Sequence, residues 1–321
     1  MKILVCGGTR FYGKKLVNQL VESGHEVVVI SRHIEEKNVN VRYICGELSK
    51  ELVSLNLNDE FFDICVANIL MDKQDAKNYL FCLKEKVKKH IIISSIGVYD
   101  SKNTSESAFN PYKDACTGSY QEKKHVEKII VNSIVQRKVL ILRPAIIIGE
   151  DDWTHRMEFY LQRIKDCGGI ITQSQENNTI SFVYDWQLAR VVLYFINNGW
   201  KKAENTINVA TNREYSYIEL IKIMMECIKV RNTTLLKINI NEEKPPFDKF
   251  KDPYGKGNNS CDVSKLEAID RNLVNYDEVE LKKLINTLND KYRIDEVPNY
   301  SFRDEEIAFI KNNSDRIVRV C

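Results

Sequence analysis

Apolar residues in the first half of the chain follow two alternating patterns. Continuous Val- and Ile-rich runs at Lys2–Cys6, 26–30, Val41–Cys45, Phe62–Ala67, 90–94 and 139–148 predict six strands. Between them, 14–23 carries Leu16, Val17, Leu20 and Val21 on one helical face, and Gly24 ends that helix. Residues 75–87 and Ser119–Ser133 also read as helices. Unbroken apolar runs mark strands covered on both faces. Strands alternating with helices imply right-handed crossovers and a parallel sheet. The expected fold is α/β, a Rossmann-type doubly wound parallel sheet.

The second half is less regular. Helices are expected over 153–164, 186–197, 215–230 and 278–292, with a short strand at Thr206–Val209 that would complete the first sheet. Pro245, Pro246 and Pro253 mark the most linker-like stretch, and a charged tail ends the chain. The division expected is a dinucleotide-binding domain over 1–150 and a smaller, mainly C-terminal substrate region over 151–321, partly interleaved with the first. No internal repeat or low-complexity segment is evident.

Composition narrows the class. The 321 residues carry 47 basic and 45 acidic side chains, a net charge of +2, which gives no bulk reason to expect nucleic-acid or membrane binding. None of the nine cysteines forms a Cys-x-x-Cys pair, and several sit in apolar runs. That scatter argues against a disulfide framework and a zinc site, and free thiols suit a reducing cytoplasm. Four apolar residues after Met1-Lys2 are too few for a signal peptide, and no run approaches the ~20 apolar residues of a membrane span.

The chemistry begins at Cys6-Gly7-Gly8-Thr9-Arg10-Phe11-Tyr12-Gly13, between the first strand and the first helix. Glycines there allow a sharp turn and let a pyrophosphate approach the free N–H groups of a helix N-terminus. Arg10 stands at the middle glycine position of a Gly-x-x-Gly-x-x-Gly reading, and the alternative is an ordinary tight strand–helix turn. The second strand ends in Ser31-Arg32-His33, with no acid before Glu35. A carboxylate there would receive a ribose 2′-hydroxyl, whereas a cation suits a 2′-phosphate. Arg32, with Arg10 as a second cation, therefore favours NADP over NAD; the alternative is that Arg32 is a solvated loop residue.

Tyr120 and Lys124 lie four apart, a spacing that puts both on one helical face. A lysine cation favours the phenolate, so the phenol could exchange a proton with a substrate hydroxyl or carbonyl. Ser95, after the fifth strand, could hydrogen-bond the same oxygen. Ser119 with Glu122 has capping-box spacing, which would put Tyr120 in the first turn. In a lysine-rich chain the alternative is a chance surface pair.

With these motifs the chain resembles the extended, atypical part of the short-chain dehydrogenase/reductase superfamily, in its NAD(P)-dependent epimerase/dehydratase group. The resemblance covers about 270 residues. It rests on Gly7–Gly13, on Ser94-Ser95-Ile96-Gly97-Val98-Tyr99, on Tyr120 with Lys124, on Leu142-Arg143-Pro144 before Gly149, and on Ile207-Asn208-Val209-Ala210 followed by 215–220. It implies that Gly7, Gly8 and Gly13, with Thr9, Arg10, Phe11 and Tyr12, hold the pyrophosphate. Ser31 and Arg32 would meet the ribose, Glu47 and Leu48 the adenine, and Ala67, Ser94 and Pro144 the rest of the cofactor. Ser95, Tyr120 and Lys124 would be catalytic. Glu127 follows Lys124 by three residues where the pattern has four, which leaves Lys123 as an alternative register with Ser119 at the tyrosine position. Residues 178–185 lack the arginine that sugar-nucleotide members place there, and Gln187 replaces an aspartate. A homodimer is implied by resemblance only.

On the substrate side, Trp153 could stack on a ring and Arg156 could bind an anion, with Tyr99 nearby; the alternative is an acidic helix start. His155 has no second ligand close in sequence, so no metal is expected. The function expected is NAD(P)-dependent oxidation or reduction of a hydroxyl- or carbonyl-bearing carbon in a small molecule, such as a nucleotide sugar. A plain NADP-dependent carbonyl reductase is the enzymatic alternative. A dinucleotide sensor or RNA-associated protein is the non-enzymatic one.

Overall fold

A computed structural model describes residues 1–34, 38–99, 119–173, 178–201, 205–238, 252–254, 259–292 and 300–321, without the side chains of Ser54, Ser119 and Tyr120. The first elements are β1 (Lys2–Cys6), α1 (Phe11–Glu22), β2 (Glu26–Ser31), β3 (Val41–Cys45), α2 (Lys50–Leu57), β4 (Phe62–Ala67), α3 (Lys73–Leu83) and β5 (Val87–Ile93). Then come α4 (Ser119–Ser133), β6 (Val139–Pro144), β7 (Ile146–Ile148), α5 (Arg156–Lys165), β8 (Ile170–Thr172), β9 (Thr179–Tyr184), α6 (Asp185–Asn198) and β10 (Thr206–Val209). The last are β11 (Glu214–Ser216), α7 (Tyr217–Cys227), β12 (Thr233–Lys237), α8 (Ser264–Ile269), α9 (Glu278–Lys291), α10 (Arg303–Asn312) and β13 (Ile317–Val320).

The chain forms two compact units. The first comprises Met1–Gly149, Phe182–Asn212 and Cys261–Val274. Its seven-stranded sheet has the order β10-β6-β5-β4-β1-β2-β3, with every neighbouring pair parallel. Alternate residues of the Val/Ile runs bury opposite ways. Ile3, Val5, Val27 and Val29 pack with α1 and α6, while Leu4, Cys6, Val28 and Ile30 pack in the cluster that holds α2, α3 and α4 residues. The chain runs outward through β2 and β3 and then returns to β4 on the other side of β1. That reversal sits at the carboxyl ends of β1 and β4, where open α/β sheets form their ligand crevice.

The strand expected over 139–148 is broken at Ala145, whose N–H donates to Val209 O at 2.9 Å, and the short β7 pairs with β9 instead. The helix expected from 75 starts at Lys73, because the Asp72 carboxylate accepts from the N–H groups of Gln74 and Asp75.

The second unit comprises Glu150–Ser181, Arg213–Ser260 and Asn275–Cys321. β12 pairs in parallel with β8 and antiparallel with β13. The expected charged tail is instead α10 and β13. Arg163 on α5 makes bonds of 2.9 and 2.7 Å to Glu306, and Arg303 reaches Asp166 at 2.6 and 2.7 Å. Arg163, Arg303 and Glu306 are buried, so charges of the tail hold it in place. The helix expected from 153 starts at Arg156, after a turn that puts His155 at φ +50°. The helix expected from 215 starts at Tyr217, where Ser216 and Glu219 form a reciprocal cap.

Candidate functional site

The loop after β1 is built by close backbone approach. Gly7 has φ +85°, and a Cβ on it would lie 2.4 Å from Ile69 Cγ2. A Cβ on Gly13 would lie 2.8 Å from Gly7 O and 3.1 Å from Gly8 Cα, so the first turn of α1 rests directly on the loop. Asn68, at the end of β4, ties the loop down: its Nδ2 donates to Gly7 O at 2.7 Å, and Tyr12 donates its hydroxyl to Asn68 Oδ1. Burial pushes the Tyr12 phenol well above its ordinary range, so it stays a neutral donor. α1 starts with no side-chain cap and no acid in its first turn. Its N–H groups and the positive end of its dipole are thus not offset by a carboxylate there, which suits an anion.

Beside this loop lies a cavity of about 480 Å³. Of the expected cofactor contacts, Gly7, Thr9, Arg10, Ser31, Arg32, Glu47 and Leu48 line it. The Thr9 and Ser31 hydroxyls meet at 2.8 Å across its mouth, and Ser31 donates to His33 O at 3.0 Å. Arg32 faces Glu47 at 3.5 Å, with the side chains 69% and 77% exposed, so the pair is weak and solvent-screened. The sequence reading missed a whole wall: Ile69, Leu70, Met71, Asp72, Asp75 and Asn78, from the β4–α3 loop and the start of α3. A loop of mixed apolar and polar residues carries no periodicity; the cap signal at Asp72 was the one clue.

Other expected contacts sit differently. Gly8 and Gly13 shape the loop from behind, and Phe11 enters the helix at φ +50°. Ala67 and Pro144 are buried strand ends. The Ser95 hydroxyl accepts from Gly97 N at 3.1 Å. Tyr99 is buried: its hydroxyl donates to Asn208 at 2.7 Å and accepts from Arg143 at 2.9 Å. That network offers no free hydroxyl to a substrate. Arg143 and Glu127 form a two-pronged buried ion pair at 3.0 and 2.6 Å, which raises the guanidinium pKa despite burial. Gln187, at the aspartate position, donates to Ala210 O and Leu273 O, a packing role.

The two adjacent lysines of α4 are both buried. Lys123 Nζ lies 3.5 Å from Ile93 O, at the carboxyl end of β5. Burial lowers its pKa to about 8, against the pull of Glu127 and Asp75. α4 begins at Ser119, so Tyr120 is in its first turn; the cap expected of the Ser119 side chain lies outside what is described. In the second unit, Trp153 is 70% exposed and Arg156 pairs with Asp152 at 3.2 Å.

Residues 7–169 match the family described as NAD(P)H-binding. The chain belongs to that NAD(P)H-binding family. Its fold is that of the short-chain dehydrogenase/reductase epimerases. UDP-glucuronic acid 4-epimerase from Bacillus cereus, solved with UDP-glucuronic acid and NAD, superposes with a TM-score of 0.69 at 18% identity, covering 91% of this chain and 99% of that one. dTDP-glucose 4,6-dehydratase from Bacillus anthracis, solved with NAD, gives 0.67 at 14% identity, covering 92% and 97%. Among curated sequences, the chloroplast stem-loop binding protein of 41 kDa b from Arabidopsis thaliana is 25% identical over 190 residues. That match covers 51% of this chain and 47% of the relative, so the chain spans about half the length of the curated protein it matches. Among the described residues, no helix is long and apolar enough to cross a membrane.

Proposed function

We propose that this family member binds NADP(H) in the cavity beside β1 and β2 and uses it to oxidise or reduce a hydroxyl- or carbonyl-bearing carbon of a small substrate. The observation that carries the cofactor choice is the mouth of that cavity. Arg10, Arg32 and the Thr9–Ser31 hydroxyl pair line it, and the carboxyl end of β2 supplies no carboxylate. A 2′-phosphate would find two cations and two hydroxyls there, while a 2′-hydroxyl would find no carboxylate from the strand end that usually provides one. The exposed Arg32–Glu47 pair costs little to open. When bound, the nicotinamide supplies the hydride chemistry. The chain's own contribution is to hold the diphosphate at α1, the 2′-phosphate at Arg10 and Arg32, and a proton-exchanging group on α4. The Ser95, Tyr120 and Lys124 spacing supplies a candidate for that last role. A nucleotide-activated sugar is the substrate class suggested by the epimerase and dehydratase neighbours.

Isothermal titration with NADPH and NADH tests the cofactor. Tighter binding of NADPH is expected, and Arg32→Ala should erase most of that preference while leaving NADH binding unchanged. Equal affinities in the wild type would refute the assignment. Once a substrate is found, full turnover by Tyr120→Phe would remove Tyr120 from the acid/base role.

A second reading rests on the Arabidopsis relative, whose name records stem-loop binding. Under it, the fold binds a dinucleotide and an RNA hairpin without redox turnover. A gel shift with an RNA stem-loop, with and without NADPH, separates the two.

A further inference from the structure

A second cavity, of about 260 Å³, lies between α1 and the start of β3. Thr9 of the glycine loop, Lys14, Val17 and Asn18 of α1, Asn38 of the β2–β3 connection and Tyr43 of β3 line it. Val17 and Tyr43 pack with the apolar cluster on the α1 face of the sheet. Ile30, Leu48 and Leu70, which line the 480 Å³ cavity, belong to the cluster on the opposite face. The two cavities therefore lie on opposite faces of the sheet, and Thr9 lines both.

The smaller cavity is rich in hydrogen-bond donors. Lys14 supplies a cation and, among the described residues, no carboxylate lines it. Asn38 Nδ2 donates to Asn18 Oδ1 at 3.4 Å, which engages the Asn18 oxygen and leaves its NH2 without an acceptor among the described residues. The Tyr43 hydroxyl accepts from Asn38 N at 3.2 Å, and its own proton meets no acceptor among the described residues. Ser31 donates to His33 O, so Thr9 is the donor in the Thr9–Ser31 pair. These side chains are half-buried. A cation entering the cavity would meet Lys14, and an apolar ligand would strand the donors. A phosphate-type oxyanion offers only acceptors and a charge opposite to that of Lys14.

We propose that this cavity binds a phosphate-type oxyanion, separately from the dinucleotide, and that the anion regulates the 2′-phosphate seat through Thr9. The Thr9 hydroxyl has a single proton, which can go to Ser31 or to the anion. An anion that draws it to the α1 face withdraws a donor from the mouth of the cofactor cavity and adds negative charge beside the place of a 2′-phosphate. Occupancy should weaken NADPH and spare NADH, and NADPH should weaken the anion by the same factor. The anion site stands on its own geometry; only this coupling rests on the NADP reading.

The test is calorimetric titration of the full-length chain with inorganic phosphate in a phosphate-free buffer. Saturable binding is expected. Tyr43→Phe, which deletes one oxygen, should weaken it roughly threefold to tenfold, and Lys14→Met roughly tenfold. Arg32→Ala, on the other face, should leave it within about twofold. In wild-type protein carrying isotope-labelled asparagine, the Asn18 and Asn38 side-chain resonances should shift with phosphate, a readout independent of how the variants fold. Glycerol 3-phosphate titrated in parallel separates the sources of the anion. Tighter binding than phosphate, with the same dependence on Tyr43 and Lys14, makes the ligand a phosphomonoester; equal or weaker binding makes it the free ion. Phosphate near saturation should raise the NADPH dissociation constant roughly threefold to tenfold, an effect that shrinks in Tyr43→Phe. No saturable phosphate binding, or binding lost in Arg32→Ala and kept in Tyr43→Phe and Lys14→Met, overturns the site. Competition with NADPH that is undiminished in Tyr43→Phe overturns the coupling. Phosphate binding with the expected dependence, but no NADPH binding, overturns the cofactor reading and leaves the anion site standing.

Discussion

Gly13 is the position where helix propensity and close packing pull in opposite directions. It lies in the first turn of α1, and by propensity alone Gly13→Ala would stabilise the helix by about 1 kcal/mol. The structure opposes this, because the new Cβ would lie 2.8 Å from Gly7 O and 3.1 Å from Gly8 Cα, both main-chain atoms. Restoring ordinary contact requires the loop to move by about 0.6 Å, since no flexible side chain can yield. Overpacking of this kind costs about 1–3 kcal/mol, so the net stability change should fall between neutral and about 2 kcal/mol destabilising. Ligand binding should suffer more. Losing one charge-assisted N–H contact to the diphosphate costs about 1.5–3 kcal/mol, or roughly ten- to hundredfold in affinity. Thermal unfolding of the free protein and NADPH titration read the two effects separately. A variant with a raised melting temperature and NADPH affinity within about twofold of wild type would refute the packing argument.

Two other predictions concern buried charges. Glu127→Ala leaves the Arg143 guanidinium buried without its carboxylate and should destabilise by about 3–5 kcal/mol in urea unfolding; the Glu127→Ala/Arg143→Met double variant should recover part of that, and no recovery would count against an ion-pair origin. Lys123 has a folded pKa of about 8, below its unfolded value of about 10.4, so burial opposes folding by about 3 kcal/mol at neutral pH. The sign follows from linkage: the penalty is complete below the folded pKa and fades as pH rises toward the unfolded one. Lys123→Met should therefore be more stable than wild type at pH 7, with a gap that closes toward about pH 10; a gap independent of pH would be inconsistent with a desolvated amine.

The parallel sheet was legible because its signal is local. Both-face burial requires continuous Val/Ile runs, and these runs occupy β1 to β6 with errors of a few residues at their ends. Gly7 and Gly13 were legible for the same reason: their roles depend on neighbours within one strand–turn–helix unit. The wall of the cavity at 69–78 was not, because it comes from the loop after β4, brought beside β1 only by the order of strands in the sheet. Within the charged tail, α10 and β13 were not legible because Arg303 and Glu306 meet their partners Asp166 and Arg163 only in the folded chain. The lysine ambiguity on α4 had the same origin. Spacing to Tyr120 chose Lys124, whereas contact with Ile93 O and proximity to Asp75 distinguish Lys123, and both depend on how α4 lies against β5 and α3. Sequence alone thus determined the α/β class, the glycine loop and the basic end of β2, all set by periodicity and backbone sterics over a few consecutive residues. Which polar side chains are desolvated, which of them are paired and which α4 lysine reaches the end of β5 were decided only by tertiary structure, because burial and hydrogen bonding are properties of residues far apart in the chain.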